Sequence, residues 1–254
     1  MNKNITFIIL FILIRPVAQC QQKIDTDRPD QTESVFTVPK HWLQFEAGFS
    51  KQQNSISENE FYLPTILTKY GVTKKLEFRL ITSFQANTIH VNSAKQNESG
   101  FAVTEIGAKI SLWEEKKLLP KTSIIFHVGV PPLSAKKYRP ENVPVNFRFT
   151  MQHSVSNKIS IGYNAGAEWS GENNNTAWVY TFTTGLNINA NWYSYIEAFG
   201  EVSAKELPQH NIDGGIAYTI GNDIKIDLSS GFGISSAAPI WYIAAGFSMR
   251  LQLR

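Results

Sequence analysis

Residues 159–169 read ISIGYNAGAEW, in which Ile159, Ile161, Tyr163, Ala165, Ala167 and Trp169 alternate with Ser160, Gly162, Asn164, Gly166 and Glu168. Strict period two is the signature of a β-strand with one apolar face. The same alternation returns at 43–50, 76–86, 104–112, 122–130, 145–152, 178–188, 212–220, 224–234 and 241–251, and more weakly at 61–70 and 192–201. About twelve strands and no helical periodicity confine the chain to an all-β fold.

The spacing of these strands fixes their order. Short turns at 71–75, 156–158, 189–191 and 221–223 interleave with longer polar loops at 51–60, 87–100, 131–144, 170–176 and 202–209. This predicts an up-and-down antiparallel meander. Transmembrane β-barrels of bacterial outer membranes show the same asymmetry, with tilted strands of about ten residues.

Alternation alone does not say which face is inside, because a soluble barrel alternates too. Composition and tryptophan placement separate the two. The polar face here is mostly Gly, Ser, Thr, Asn and Gln, while many lysines sit in connections (Lys51, Lys74, Lys75, Lys95, Lys116, Lys117, Lys136, Lys137). All six tryptophans fall at or beside strand ends: Trp42, Trp113 and Trp192 on the short-turn side, Trp169, Trp178 and Trp241 on the long-loop side. Such girdles suit a membrane interface, where ring and N–H are both satisfied; Trp42 and Trp113 have the inward parity. The pattern therefore predicts a transmembrane barrel with Leu43, Phe45, Ile106, Phe147, Ile161, Phe182, Ile226, Phe232 and Phe247 facing lipid.

The N-terminus fits export. Lys3 precedes an apolar run over 5–14, followed by Arg15, Pro16 and small residues, as in a secretory signal peptide. That run is too short for a membrane-spanning helix, which needs roughly 20 residues. Cleavage after Cys20 leaves a mature chain without cysteine; the rival reading makes Cys20 a lipid-modified first residue, although Gln19 is bulky for that motif. The expected organisation is a signal peptide at 1–20, a polar periplasmic segment at 21–41 that is a possible lumen plug, and one barrel domain at 42–254. Pro64, inside a predicted strand, calls for a bulge or a later strand start.

Several stretches together, TDRPDQTES, TVPKHWLQFEAGF, TKYGVTKKLEFRL, EIGAKISL, IIFHVGVPP, YIEAFG, DGGIAYTIGNDIKIDLSSGFGIS and AAGFSMRL, span residues 26–251. In sequence and order they resemble a family of outer-membrane transporters named for the meta pathway of phenol degradation. The resemblance implies a bacterial outer-membrane barrel with a role in uptake of small aromatic or hydrophobic compounds. The C-terminus departs from common barrel practice, running past Phe247 to Arg254 without a terminal aromatic.

The predicted interior is polar and roomy. Twelve strands ~4.8 Å apart and tilted ~40° enclose a lumen of about 10 Å after side chains are counted. Glycines concentrate on the inward parity, either easing the coiling of the sheet or leaving space for a ligand or plug. Inward charges (Glu46, Glu77, Arg79, Lys109, Arg148, Lys225, Asp227, Arg250) form a lumen network that is either structural or a selectivity constriction. The acidic stretch at 26–34, with Asp27, Arg28, Asp30 and Glu33, begins near Arg79, Lys109, Arg148 and Arg250. It is expected to enter the lumen as a plug unless it is a solvated leader.

Other functions find little support. An outer-membrane lipid hydrolase needs nucleophile and base on one strand face, whereas His153 and Ser154 lie on opposite faces. His127 has the inward parity without an assignable partner. No metal-ligand cluster, phosphate loop or triad stands out, so no cofactor, metal or enzymatic activity is expected. A formal charge of +3 spread over separate loops argues against nucleic acid. The remaining alternative to a channel is a structural or adhesive barrel. Expected partners are outer-membrane lipid, a small-molecule solute and the barrel-assembly machinery.

Overall fold

The computed structural model describes residues 23–91, 94–172 and 175–253. The expected signal peptide and the processing site at Cys20 lie outside the described residues. Thirteen strands follow one another: β1 (Trp42–Ser55), β2 (Glu58–Gly71), β3 (Leu76–Val91), β4 (Ala94–Phe101), β5 (Thr104–Trp113), β6 (Lys121–Val130), β7 (Val145–Ser154), β8 (Ile159–Trp169), β9 (Ala177–Asn187), β10 (Trp192–Ser203), β11 (Gln209–Ile220), β12 (Ile224–Gly233) and β13 (Trp241–Gln252).

The sheet closes on itself. Neighbouring strands pair antiparallel, and β1 pairs with β13 from Trp42 opposite Gln252 to Gln53 opposite Trp241. β4 and β5 both pair with β3, the first with its outer half and the second with Leu76 to Ile81. They are two halves of one stave, interrupted at residues 102 and 103, where Ala102 N–H donates to the Ser83 carbonyl (2.9 Å). The result is a closed barrel of twelve staves.

The wall is inverted relative to a water-soluble protein. Outward-facing Phe78, Ile106, Phe182 and Phe232 are each more than half exposed, whereas inward-facing Lys69, Arg79 and Lys109 are at most 2 % exposed. Lipid is the surrounding that makes both observations favourable, since apolar side chains gain nothing by facing water and the polar ones find partners inside.

Two expectations are corrected, the loops and the inward Trp113, and the bulge expected at Pro64 is present. The stretches 51–60 and 87–100 are not loops: β1 and β2 run on to a turn at residues 56 and 57, and β3 and β4 extend their ladder to Val91 opposite Ala94. Backbone pairing continues there while the apolar alternation that marks membrane strands stops. Two β-bulges shift the register elsewhere. One spans Tyr62 to Thr65 and accommodates Pro64 inside β2. The other, between Ser111 and Trp113, sets Trp113 opposite Thr122 and turns its ring outward.

The connection 131–144 carries two short 3-10 turns, Pro131–Leu133 and Lys136–Tyr138, and leans on the β4 extension. Ala135 N–H donates to the Phe101 carbonyl (2.9 Å) and Tyr138 Oη to the Glu98 carbonyl (3.3 Å). At the opposite rim the turns are tight. Gly221 holds φ +63° between β11 and β12, a conformation costly for other residues.

Candidate functional site

The polar segment preceding β1 lies inside the barrel. Ile24 N–H donates to the Asn222 carbonyl (2.7 Å) and His41 N–H to the Gly71 carbonyl (2.8 Å), so both ends sit at the short-turn rim. Between them the chain enters the lumen and returns. An unstructured polar peptide cannot bury its backbone without partners, and the wall supplies them. Glu46 Oε2 accepts from Asp27 and Arg28 N–H (3.0 and 3.2 Å), Glu197 Oε2 from Gln31 N–H (2.7 Å), Asn164 Oδ1 from Glu33 N–H (2.8 Å) and Glu77 Oε2 from Val38 N–H (2.7 Å). Carbonyls are met too, by Gln44 at Asp25 (2.6 Å), Tyr195 at Pro29 (3.2 Å), Lys109 at Ser34 (2.8 Å) and Ser123 at Val35 (2.6 Å).

Asp27 is the electrostatic centre. Its carboxylate lies 2.9 Å from Lys69 Nζ, 3.0 Å from Arg79 Nη1 and 2.9 Å from Lys109 Nζ, and also accepts from Ser34 N–H (2.9 Å). Burial opposes its ionisation, yet the charges of Lys109, Lys69 and Arg79 outweigh burial and hold its carboxyl well below the usual carboxylate range. Arg79 also pairs with Glu33 (2.8 Å) and Glu77 (3.2 Å), and Lys69 with Glu46. In this cluster the wall alone offers two carboxylates, Glu46 and Glu77, against three cations. The segment adds Asp27 and Glu33.

Deeper along the segment, Arg28 donates to Asp227 (3.0 Å) across paired glycines. Gly48 and Gly246 face each other in register, and a Cβ on them would fall 2.2 Å from Arg28 Nη1 and 2.4 Å from Arg28 Nε respectively. Here the inward glycines make room for the segment. Tyr193 Oη donates to Asp30 (2.7 Å), whose carboxyl is pushed up to about 6 by burial, against the pull of Tyr193 and Lys225. Thr32 Oγ1 meets Thr181 Oγ1 (2.6 Å) and the Glu197 carboxylate.

The eight expected inward charges do not form one network. Glu46, Glu77, Arg79 and Lys109 join the Asp27 cluster, and Asp227 binds Arg28. Lys225 donates to Thr26 Oγ1 (2.8 Å) and lies over the Tyr193 ring (5.3 Å). Arg148 sits apart, paired with Glu168 toward the long-loop end, and Arg250 is at the short-turn rim beside Asp223 (2.9 Å) and over the Trp42 ring (4.9 Å). Among the described residues these two ion pairs are made with the wall and its turns and not with residues 24–41: register places Arg148 opposite Gly166 and Arg250 opposite Gln44 near the end of β13. Lys69, Glu197 and Asp213 do not stand out in the sequence; the first two lie in the weakly alternating strands β2 and β10.

Of the tryptophans, Trp42 turns inward under Arg250, while Trp113, Trp169, Trp178, Trp192 and Trp241 lie on the outward face. Trp192 packs on Tyr218 and Trp169 on Phe147. His127 does have partners: Arg79 Nε donates to its Nε2 (3.1 Å) and its Nδ1 faces Asn146 Oδ1 (3.0 Å), a geometry that fixes the neutral tautomer. Among the described residues no group of His, Cys, Asp and Glu is arranged to hold a metal ion.

Two cavities flank the segment. One of about 450 Å³ opens toward the long loops and is lined by Arg28, Pro29, Gln31 and Thr181 among others. The other, of about 510 Å³, opens toward the short turns and is lined by Asp30, Thr32, Gly162 and Thr183 among others. A closed barrel with an apolar outer wall, a polar lumen, two cavities and its own N-terminal segment between them belongs to the transmembrane β-barrel class. The COG4313 outer membrane channel from Pseudomonas putida F1 has the same fold, with a TM-score of 0.70 at 8 % identity over 86 % of this chain and 98 % of that one.

The NanC porin is also similar (TM-score 0.53, 8 % identity, 82 % of this chain and 100 % of that one), as is the transport unit of the autotransporter AIDA-I from Escherichia coli (0.51, 8 %, 95 % and 94 %). No curated protein sequence matches the chain. The family model described as "Putative MetA-pathway of phenol degradation" matches residues 26–251, and the chain belongs to that family. The match begins at the first residue of the buried acidic stretch.

Proposed function

We propose that this protein is an outer-membrane channel for passive uptake of small hydrophobic or aromatic compounds, exported by its N-terminal signal peptide and closed at rest by residues 24–41. The observation that carries this reading is the pair of cavities, about 450 and 510 Å³, that meet the two rims and are separated only by a segment held through polar contacts. Water entering the lumen competes for these polar groups, as it does not for apolar packing, which suits a removable closure. The aromatic solute class is supported by the family description, which names phenol degradation. The function needs no chemistry from the chain: diffusion through the lumen is non-enzymatic.

The filled lumen also suits a structural or adhesive barrel, and one experiment separates the two. Uptake of a graded panel of aromatic and sugar solutes is measured in vesicles with and without the protein. A channel accelerates the small members of the panel over protein-free vesicles. Equal rates for every solute, in the full chain and in a chain lacking residues 26–34, leave only the structural reading.

A further inference from the structure

The lumen is asymmetric, and the asymmetry picks out a route. On the β1–β5 side the inward residues are long and charged: Glu46, Lys69, Glu77, Arg79 and Lys109 are each at most 2 % exposed and converge on Asp27 and its neighbours. On β8 and β9 the inward residues facing the segment are short, Gly162, Asn164, Thr181 and Thr183, while β10 beside them presents Tyr193, Tyr195 and Glu197. The short-turn cavity follows this division. Its strand lining comes from β7 to β12 and, among the described residues, includes none from β1 to β6.

The two cavities almost meet on that wall. Thr181 lines the outer one and Thr183 the inner one, and these are successive inward residues of β9, about 7 Å apart along the strand. The segment alternates in the same way, with Pro29 and Gln31 lining the outer cavity and Asp30 and Thr32 the inner one. What separates them is a small set of bonds: Gln31 N–H to Glu197 (2.7 Å), and Thr32 Oγ1 to Glu197 and to Thr181 Oγ1 (2.6 Å). Gly162 leaves this narrow point open, since a Cβ there would lie 2.9 Å from the Thr183 methyl and 3.2 Å from the Thr32 methyl.

Resting on the channel reading above, we infer that solute crosses the lumen off-centre, along the β8–β9 wall. The constriction is closed by Gln31 and Thr32 against Thr181 and Glu197, and Gly162, Thr181 and Thr183 set the size of what passes. The segment then works in two halves: the Asp27 half stays clamped to β2, β3 and β5, while the apex at 30–32 shifts. The hydroxyls of Thr32, Thr181 and Thr183 line the opening beside the carboxyl groups of Asp30 and Glu197, which suits an uncharged solute able to donate a hydrogen bond better than an anion.

The test uses the full chain with Cys20→Ser, which removes the one cysteine. Thr32→Ala with Glu197→Gln loosens the apex and leaves every partner of Asp27 in place. Single-channel conductance and L-arabinose-driven vesicle swelling are expected to rise about tenfold over the parent, with a spin label at residue 37 as immobile as before. Thr183→Cys is then added, and a bulky thiol reagent is applied to the folded protein, with the adduct verified by mass. Most of the gained conductance should vanish, and because the same molecules are measured before and after, misfolding is not an explanation.

Two results overturn the route: apex variants as tight as the parent while deletion of 26–34 conducts, or a verified adduct on the Thr183→Cys variant that leaves conductance unchanged. Absence of conductance even in the deletion is a different result. It removes the channel reading itself.

Discussion

Lys109 Nζ stands 2.9 Å from Asp27 Oδ1, and its other polar contacts are the carbonyls of Ser34 (2.8 Å) and Phe36 (3.4 Å). Among the described residues, every partner of this fully buried ammonium is thus supplied by the segment and none by the barrel wall. A lysine in that position has no satisfied state in the barrel alone unless water enters. The wall is therefore built to receive the segment, and when the segment leaves, water entering the lumen must take over the same charges.

Removing the carboxylate should release the clamped half. Breaking a buried ion pair by deleting one partner costs about 3–5 kcal/mol, and Asp27→Asn leaves Lys69, Arg79 and Lys109 facing an amide. The expected outcome is a mobile segment in an intact barrel, read by spin labels at residues 32 and 37 together with unchanged heat-modifiable gel migration. Lys109→Met should weaken docking less, because Lys69 and Arg79 remain on Asp27.

Docking should tighten on mild acidification. Asp30 has its carboxyl raised from 3.8 to about 6 in place, so its contribution is complete below 3.8 and is lost as pH rises through about 6. Asp27 is shifted the other way, and its contribution is present above 3.8 and lost only as pH falls well below that value. Between about pH 4 and 6 both favour the docked state. Protease protection of the segment should be greater at pH 5 than at pH 7.5, and Asp30→Asn should abolish the difference.

The barrel is legible in the sequence where the wall touches lipid, because there one face must be apolar and the other not. It is not legible where both faces are wet. The outer parts of β1 to β4, such as Asn87 to Gly100, pair as strands without apolar alternation and read as loops. Asp27 and Arg28 can be placed near the inward cations because acidic residues without apolar cover have few other places to be buried. Lys69 is hidden by the bulge at Pro64, which disturbs the phase of β2, and Glu197 by the weak pattern of β10. Sequence parity gives a residue's face but not its partner across the lumen, which is why Arg148 reads as a neighbour of the segment and pairs instead with Glu168.

Charge on the outer wall should be costly and charge on the inner wall tolerated. Phe182 and Ile226 face outward, half exposed, whereas Thr183 on the adjacent position faces the lumen. Phe182→Arg or Ile226→Lys should reduce folding stability in vesicles by about 2–4 kcal/mol if near the midplane. Thr183→Lys should cost clearly less, as measured by denaturant titration of the folded fraction.

The orientation is open to a direct chemical check. Lys74 and Lys75 lie in the turn beside His41 and the segment's exit, and Lys136 and Lys137 in the connection at the other rim. With the segment on the periplasmic side, a membrane-impermeant amine reagent applied to whole cells should modify 136 and 137 and spare 74 and 75. The reverse pattern would invert the topology.

The central claim is that residues 24–41 close an otherwise passable lumen, and planar-bilayer conductance of the chain lacking residues 26–34 tests it most directly. The account predicts a folded barrel with a steady conductance well above that of the full chain, and a partial rise for Asp27→Asn with Asp30→Asn. A folded deletion variant that conducts no more than the full chain would contradict it.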